Sequence, residues 1–319
     1  MKIHKKKLLI PTYHTVSDRR IPHVINLFPY RSLKQFEMDM DFLTYHFTPI
    51  SLSALINSLH GDTVLPDKSF LLTFDDGYRE VVEIIAPILN RRSIPAVLFL
   101  NSATIDNKEL LFRNKTSLIV ERLENSINPS VLDKLSAIFQ LQVPTLKNTK
   151  TAILGVNYQN RHLLDEAAKV LGIDFNEYLL DEKPYLTSEE VRSLIDKGFM
   201  IGAHSIDHPR FSDIQFNEQM TQALVSLGKL KEQFALTYNA FAFPFNDTGV
   251  TKEFFDQTHY SGVIDISFGT SGFAKGHSVN NLQRQLMEYG GRQAKTIYQR
   301  LLTQEALTIV KHKLRLEVF

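Results

Sequence analysis

Cysteine is absent from the 319-residue chain. That removes disulfides, a thiolate nucleophile and Cys-ligated zinc, so any metal must rest on histidine and carboxylate ligands. A charge bias is missing too: Lys plus Arg is 36 against 35 for Asp plus Glu, a formal net charge of +1. Nothing in that balance argues for a nucleic-acid partner or an anionic membrane surface. No run approaches the ~18 apolar residues of a membrane helix, so no membrane span is expected. The start, Met1-Lys2-Ile3-His4-Lys5-Lys6-Lys7, has the charge of a signal peptide's head, but only Leu8-Leu9-Ile10 follows before Pro11. A leader needs ~7–15 apolar residues there. The expectation is a basic start running into a first strand, in a cytoplasmic protein. Repeats and low-complexity tracts are lacking as well.

What is present is the composition of a globular enzyme, 43% hydrophobic and 22% charged. Short apolar runs alternate with segments of helical period. Strands are predicted at Lys7–Thr12, Phe70–Phe74, Ile94–Leu100, Phe199–Ala203, Ala240–Phe245, Gly262–Ile266 and Leu282–Met287. Helices are predicted between them, two of them opened by the capping pairs Ser32/Gln35 and Thr187/Glu190. This alternation implies parallel strands in an α/β sheet or barrel. Seven strands is one short of the usual eight. From about Asn107 to Lys183 no strand is read. Helical patches at Leu118–Leu123, Val131–Phe139 and His162–Leu171 make this a helical insertion within a single domain spanning 1–319, because a loop of that length is improbable.

Four strand ends carry candidate chemistry. Phe70-Leu71-Leu72-Thr73-Phe74 runs into Asp75-Asp76-Gly77. Ligands of parallel α/β sheets sit at such C-terminal strand ends, and a cation keeps adjacent carboxylates ionised. A solvated Asp-Asp-Gly turn is the competing reading. His204 and His208, in Gly202-Ala203-His204-Ser205-Ile206-Asp207-His208-Pro209, can meet on one metal if the loop between them coils as a helical turn. Chance supplies roughly 0.4 such pairs in this chain, so the weight rests on their strand-end position. One carboxylate with two imidazoles leaves coordination open for water and substrate, the pattern of a catalytic metal. Phe241-Ala242-Phe243-Pro244-Phe245-Asn246 reads as an aromatic core strand running into a loop, and Tyr13-His14 closes the first strand, where the histidine has equal claim to a structural or a site role.

Thr73-Phe74-Asp75-Asp76-Gly77 followed by His204-Ser205-x-x-His208-Pro209 resembles, in residue type and order, the two principal motifs of the polysaccharide deacetylase family, carbohydrate esterase family 4. Tyr13-His14 and Phe241–Phe245 resemble elements of its poly-N-acetylglucosamine deacetylase-like branch. The resemblance covers Leu8–Asp76, Ile94–Leu100 and Leu186–Met287 and leaves out the insertion. It implies a distorted (β/α)7 barrel and a hydrolase that removes acetyl groups, N-acetyl foremost, from a sugar or glycan with a divalent metal, zinc being expected. Position by position it implies Asp75 as general base, Asp76, His204 and His208 as metal ligands, and the backbone N–H of Phe245 at the oxyanion.

Three departures from the family pattern follow. The arginine that usually orients the base falls at Ala242. The late Leu-x-His motif that supplies the general acid has no clean match, which leaves His14 as first candidate, then His277, with His259 behind. The insertion has no counterpart in the resemblance. It leaves from a strand end and is expected to form a wall or lid over the site, a subunit-contact module being the alternative. The first two gaps favour a second reading, a degenerate deacetylase that binds glycan without turnover. A phosphotransferase of the haloacid dehalogenase type is disfavoured, because that chemistry wants Asp-x-Asp spacing and Asp75 and Asp76 are adjacent.

Overall fold

A computed structural model describes residues 8–125, 128–274, 276–288 and 291–304, so the basic start Met1–Lys7 lies outside the described residues. Parallel strands are laid around a ring in chain order. They are β1 (Pro11–Tyr13), β2 (Leu72–Asp75), β3 (Ala96–Leu100), β4 (Met200–Ala203), β5 (Ala240–Ala242) and β6 (Ile266–Gly269). The seventh, β7, runs as Asn281–Gln283 and Gln285–Leu286 on either side of Arg284; counted as two segments it makes the sheet eight-stranded. Its first half pairs with β6, Asn281 opposite Ser267, and its second half pairs with β1, Gln285 opposite Pro11. Arg284 is where the partner changes. Its N–H donates to Gly269 O at 2.9 Å, and the next N–H, of Gln285, donates to Ile10 O at 2.8 Å. The chain therefore forms a distorted (β/α)7 barrel with a helical insertion. A small parallel sheet of Leu8–Leu9, Ser69–Phe70 and Thr48–Pro49 underlies it, its first two members leading into β1 and β2.

Strands covered by helices outside and by opposite strands inside must be apolar on both faces, and every residue of β3, Ala-Val-Leu-Phe-Leu, is buried. Gly202 in β4 marks how tightly the interior is filled: a Cβ there would fall 2.5 Å from the Phe99 ring and 2.9 Å from Ala240 O. The capping boxes read at Ser32/Gln35 and Thr187/Glu190 open the helices Leu33–His46 and Ser188–Asp196. Three boundaries differ from the sequence reading. The helix after β5, Lys252–Phe255, widens into a π-helical turn at Asp256–Tyr260, and the next strand starts later than the apolar run suggests. β5 stops at Ala242, because Pro244 cannot donate to a ladder and Phe245 has φ 61.

Among the described residues the insertion has five helices, Phe112–Asn125, Pro129–Ile138, Leu146–Leu154, His162–Leu171 and Phe175–Glu182. Ile119, Leu123, Leu135, Ile153 and Leu164 form its own apolar core. Phe245 packs against the edge of that core, which joins the insertion to the rim of the barrel. Among the described residues no helix is long and apolar enough to cross a membrane.

Candidate active site

β2 delivers Asp75 to the barrel rim, and the chain then turns through Asp76 and Gly77 with φ 68 and 70. Aspartate tolerates that left-handed region better than most residues. A Cβ at Gly77 would also sit 2.8 Å from Leu100 Cδ2, so glycine is required there on two counts. His204 leaves β4 beside it. The loop to His208 does not coil as a helical turn: Ser205 and His208 have φ 71 and 67, and the Ser205 hydroxyl accepts the His208 N–H at 2.9 Å. The imidazoles converge all the same, with ring centroids 5.0 Å apart.

Asp76, His204 and His208 are buried and present ligand atoms that all lie within 4.8 Å of one another. His208 Nε2 is 3.4 Å and His204 Nε2 is 3.7 Å from Asp76 Oδ1. His204 Nδ1 lies 2.8 Å from the Ala242 carbonyl oxygen, so that nitrogen carries the proton and Nε2 the lone pair. Burial pushes His204 down to about 4 and His208 down to about 3, and both rings are neutral at pH 7. Asp76 Oδ1 is buried without a hydrogen-bond partner. Burial raises the Asp76 carboxyl above its ordinary value, against the pull of His14 and His204. An arrangement in which lone pairs face a buried carboxylate oxygen is unfavourable until a cation enters it. One carboxylate and two neutral imidazoles fit a divalent metal.

Asp75 has another partner. Arg284 donates from Nη1 and Nη2 to the two Asp75 oxygens at 2.6 and 2.8 Å. The same guanidinium reaches Thr12 Oγ1 at 3.3 Å and lies 5.2 Å from the centre of the Phe99 ring. Burial alone would raise the Asp75 carboxyl. The Arg284 charge, with His204 adding to it, overrides burial and holds it at about 2. The arginine missing at Ala242 therefore reaches the carboxylate from β7, while Ala242 supplies a carbonyl to His204.

His14 follows β1. Its Nδ1 lies 2.6 Å from Glu288 Oε2, and Glu288 Oε1 accepts the backbone N–H groups of His14 and Thr15 at 2.8 and 3.2 Å. Burial lowers the imidazole pKa, but the Glu288 carboxylate outweighs it, helped by Asp76 and Asp75, and raises it to about 9. His14 thus keeps its proton at neutral pH. The other two candidates make their contacts elsewhere. His277 stacks on Phe255 at 4.6 Å and His259 lies 2.6 Å from Ser278 Oγ. The Phe245 ring lies 4.8 Å from that of His208, and its carbonyl accepts the Thr270 hydroxyl at 2.7 Å. Arg284 and Glu288 were not singled out from sequence. The available signal was a charged residue at the centre of the strand predicted at Leu282–Met287, a place where a charge survives only if paired.

The insertion touches this site at two points. Tyr78, two residues beyond Asp76, accepts at its hydroxyl from Asn114 Nδ2 at 2.9 Å. Tyr158 donates to Asp207, the neighbour of His208, at 2.7 Å.

A family model for polysaccharide deacetylase matches residues 62–137, which include Asp75 and Asp76. Solved structures share the fold at low identity. The de-N-acetylase from Aggregatibacter actinomycetemcomitans is 15% identical with a TM-score of 0.58, over 92% of this chain and 99% of that one. The Streptococcus pyogenes deacetylase PplD is 14% identical with a TM-score of 0.57, over 92% and 97%. IcaB from Ammonifex degensii is 15% identical with a TM-score of 0.56, over 93% and 96%. No curated protein sequence matches the chain. The resemblance to the polysaccharide deacetylase family read from the motifs is borne out by the matched segment and by the barrel.

Proposed function

We propose that the chain is a metal-dependent hydrolase that removes N-acetyl groups from a glycan. The observation that carries this reading is a juxtaposition at one end of the barrel. His204 and His208 face the unpartnered buried Oδ1 of Asp76, and beside them Asp75 is held ionised by Arg284. Asp76, His204 and His208 would hold a divalent cation, and zinc suits this donor set. When bound, such a cation supplies Lewis acidity that lowers the pKa of water and polarises the acetamide carbonyl.

Asp75 accepts the proton of the attacking water. A carboxylate held at about 2 is a weak base, competent only toward water already made acidic, which accounts for its place next to Asp76. Arg284 fixes both Asp75 oxygens and so fixes the direction from which the proton is taken. The Phe245 N–H serves the developing oxyanion, its left-handed φ turning the chain away from the ladder of β5. His14 donates from Nε2 to the leaving nitrogen, Nδ1 being engaged by Glu288. An amide needs that proton, because an amide anion is a very poor leaving group; an activated ester does not. An imidazole that holds its proton at neutral pH therefore favours N-acetyl over O-acetyl substrates. Arg284 and the His14–Glu288 pair also weigh against glycan binding without turnover, since they take the two roles that the motifs left unfilled. The insertion walls the cleft and restricts it to short or terminal sugars.

Acetate release from a panel of N-acetylated oligosaccharides tests the reading, with metal-stripped protein and after Zn2+, Co2+ or Mn2+ is added back. Release is expected only with metal, and fastest on the shortest members. No release from any member with any metal would overturn it in favour of binding alone.

A further inference from the structure

A cleft of about 320 Å3 lies between the insertion and the His208 loop, lined among others by Phe112, Arg113, Tyr158, Arg210, Asp213 and Phe245. That volume falls within the roughly 300–1,000 Å3 of small-molecule sites. The cleft adjoins the candidate metal ligands through one side chain: Phe245 lines it and packs on His208 at 4.8 Å between centroids. Its polar groups are unusual. Arg210 lies 4.6 Å over the Phe245 ring, and among the described residues its only carboxylate neighbour within 4.0 Å is Asp213, 3.9 Å away on a partly exposed surface. Arg113, half-buried, donates to Leu154 O at 2.9 Å. Among the described residues no carboxylate lies within 4.0 Å of its guanidinium. The like charge of Arg210 adds to burial in lowering Arg113 from its ordinary value. Two guanidinium groups are thus gathered at an aromatic-lined cleft, and Asp213 beside Arg210 is a weak counter-charge.

We propose that this cleft binds an anionic group on the glycan, a carboxylate or a phosphate carried next to the acetylated sugar. The inference rests on the deacetylase reading and names its substrate class. Planar guanidinium forks bind both anions through paired N–H donors, and Phe112, Tyr158 and Phe245 give the cleft an apolar wall. Arg113 reads the anion from the insertion and Arg210 from the barrel, so the cleft needs both parts of the chain.

The test compares kcat/KM on three matched N-acetylated oligosaccharides: one neutral, one with a uronate next to the acetamido sugar, one with a phosphate monoester there. One of the charged substrates is expected to exceed the neutral one at least tenfold, less so at high salt, and which one wins identifies the anion. In Arg113→Gln and in Arg210→Gln the charged-to-neutral ratio is expected to fall to near one. Arg113 also tethers the helix at Leu154, so if Arg113→Gln fails to fold, Arg210→Gln decides alone. Equal or better use of the neutral substrate, or a ratio unchanged in Arg210→Gln, would overturn the proposal. If no substrate releases acetate, the deacetylase reading has failed, and calorimetric titration with glucuronate and with inorganic phosphate decides the cleft. Binding weakened at least tenfold in Arg210→Gln supports it; binding absent, or equal in parent and variant, overturns it.

Discussion

Arg284 grips Asp75 through two nitrogens, at 2.6 and 2.8 Å, although 209 residues separate the two in the chain. Both groups are buried. Removing one member of such a pair strands the other charge, at roughly 3–5 kcal/mol, whereas replacing both with apolar residues is often neutral. Arg284→Met is expected to lose stability on that scale and most of its activity. The double variant Asp75→Leu/Arg284→Met should regain most of the stability and none of the activity. Urea unfolding of the singles and the double checks this; additive losses would mean the pair is not coupled.

Asp75→Asn keeps the shape of the side chain and removes its ability to take a proton. Turnover should drop about 10²–10⁴-fold, the usual worth of a general base, while the metal content stays at the parent's. The variant also loses part of its bond to Arg284, so the rates are compared at a temperature where circular dichroism reports a folded chain. Turnover within a few-fold of the parent would reject Asp75 as the base.

His204→Ala takes away one of the three clustered donors and the hydrogen bond to the Ala242 carbonyl. Dialysed protein is expected to retain less than a tenth of the parent's metal, with its far-ultraviolet spectrum unchanged. Stoichiometric metal by elemental analysis would show that the ligands lie elsewhere.

His14 supplies a pH dependence. Burial opposes its charge, but Glu288 raises its pKa from 6.5 to about 9. The raised value means the protonated donor is present below that pH and lost above it. Turnover of the metal-loaded enzyme should therefore fall as pH rises, on a limb that lies below about 9. The stability given by the pair, full below 6.5, should fade over the same window. A bound cation lowers the limb in parent and variant alike, so their separation is the deciding quantity. Glu288→Gln should move the alkaline limb at least one unit toward neutrality, and an unmoved limb would reject His14 as the acid.

The barrel strands were legible because buried parallel strands announce themselves as short apolar runs, and all seven lie at or next to such runs. The five insertion helices were only partly so: Leu146–Leu154, sequence Leu-Lys-Asn-Thr-Lys-Thr-Ala-Ile-Leu, is too polar and too short to show a helical stripe. At the site, Asp75, Asp76, His204 and His208 stand in two compact sequence blocks that local geometry brings to one rim. Arg284 and Glu288 stand in no motif. Their partners are Asp75 and His14, 209 and 274 positions away, and only the closure of the ring makes them neighbours. Ala242 shows the limit of reading position by position: the residue type was lost there while the charge arrived from another strand.

That closure has a bearing on how the molecule assembles. β7 docks on β1 across a span of 272 residues, and loop-closure entropy grows with such a span, as about (3/2)RT ln n. Until it docks, β1 and β6 each present an open parallel edge, the kind of surface on which partly folded chains associate. The same step brings Arg284 against Asp75. Protection from misassociation and the Arg284-held Asp75 carboxylate therefore arrive together; if Asp75 is the base as proposed, the fraction of molecules able to turn over substrate counts the fraction whose barrel has sealed.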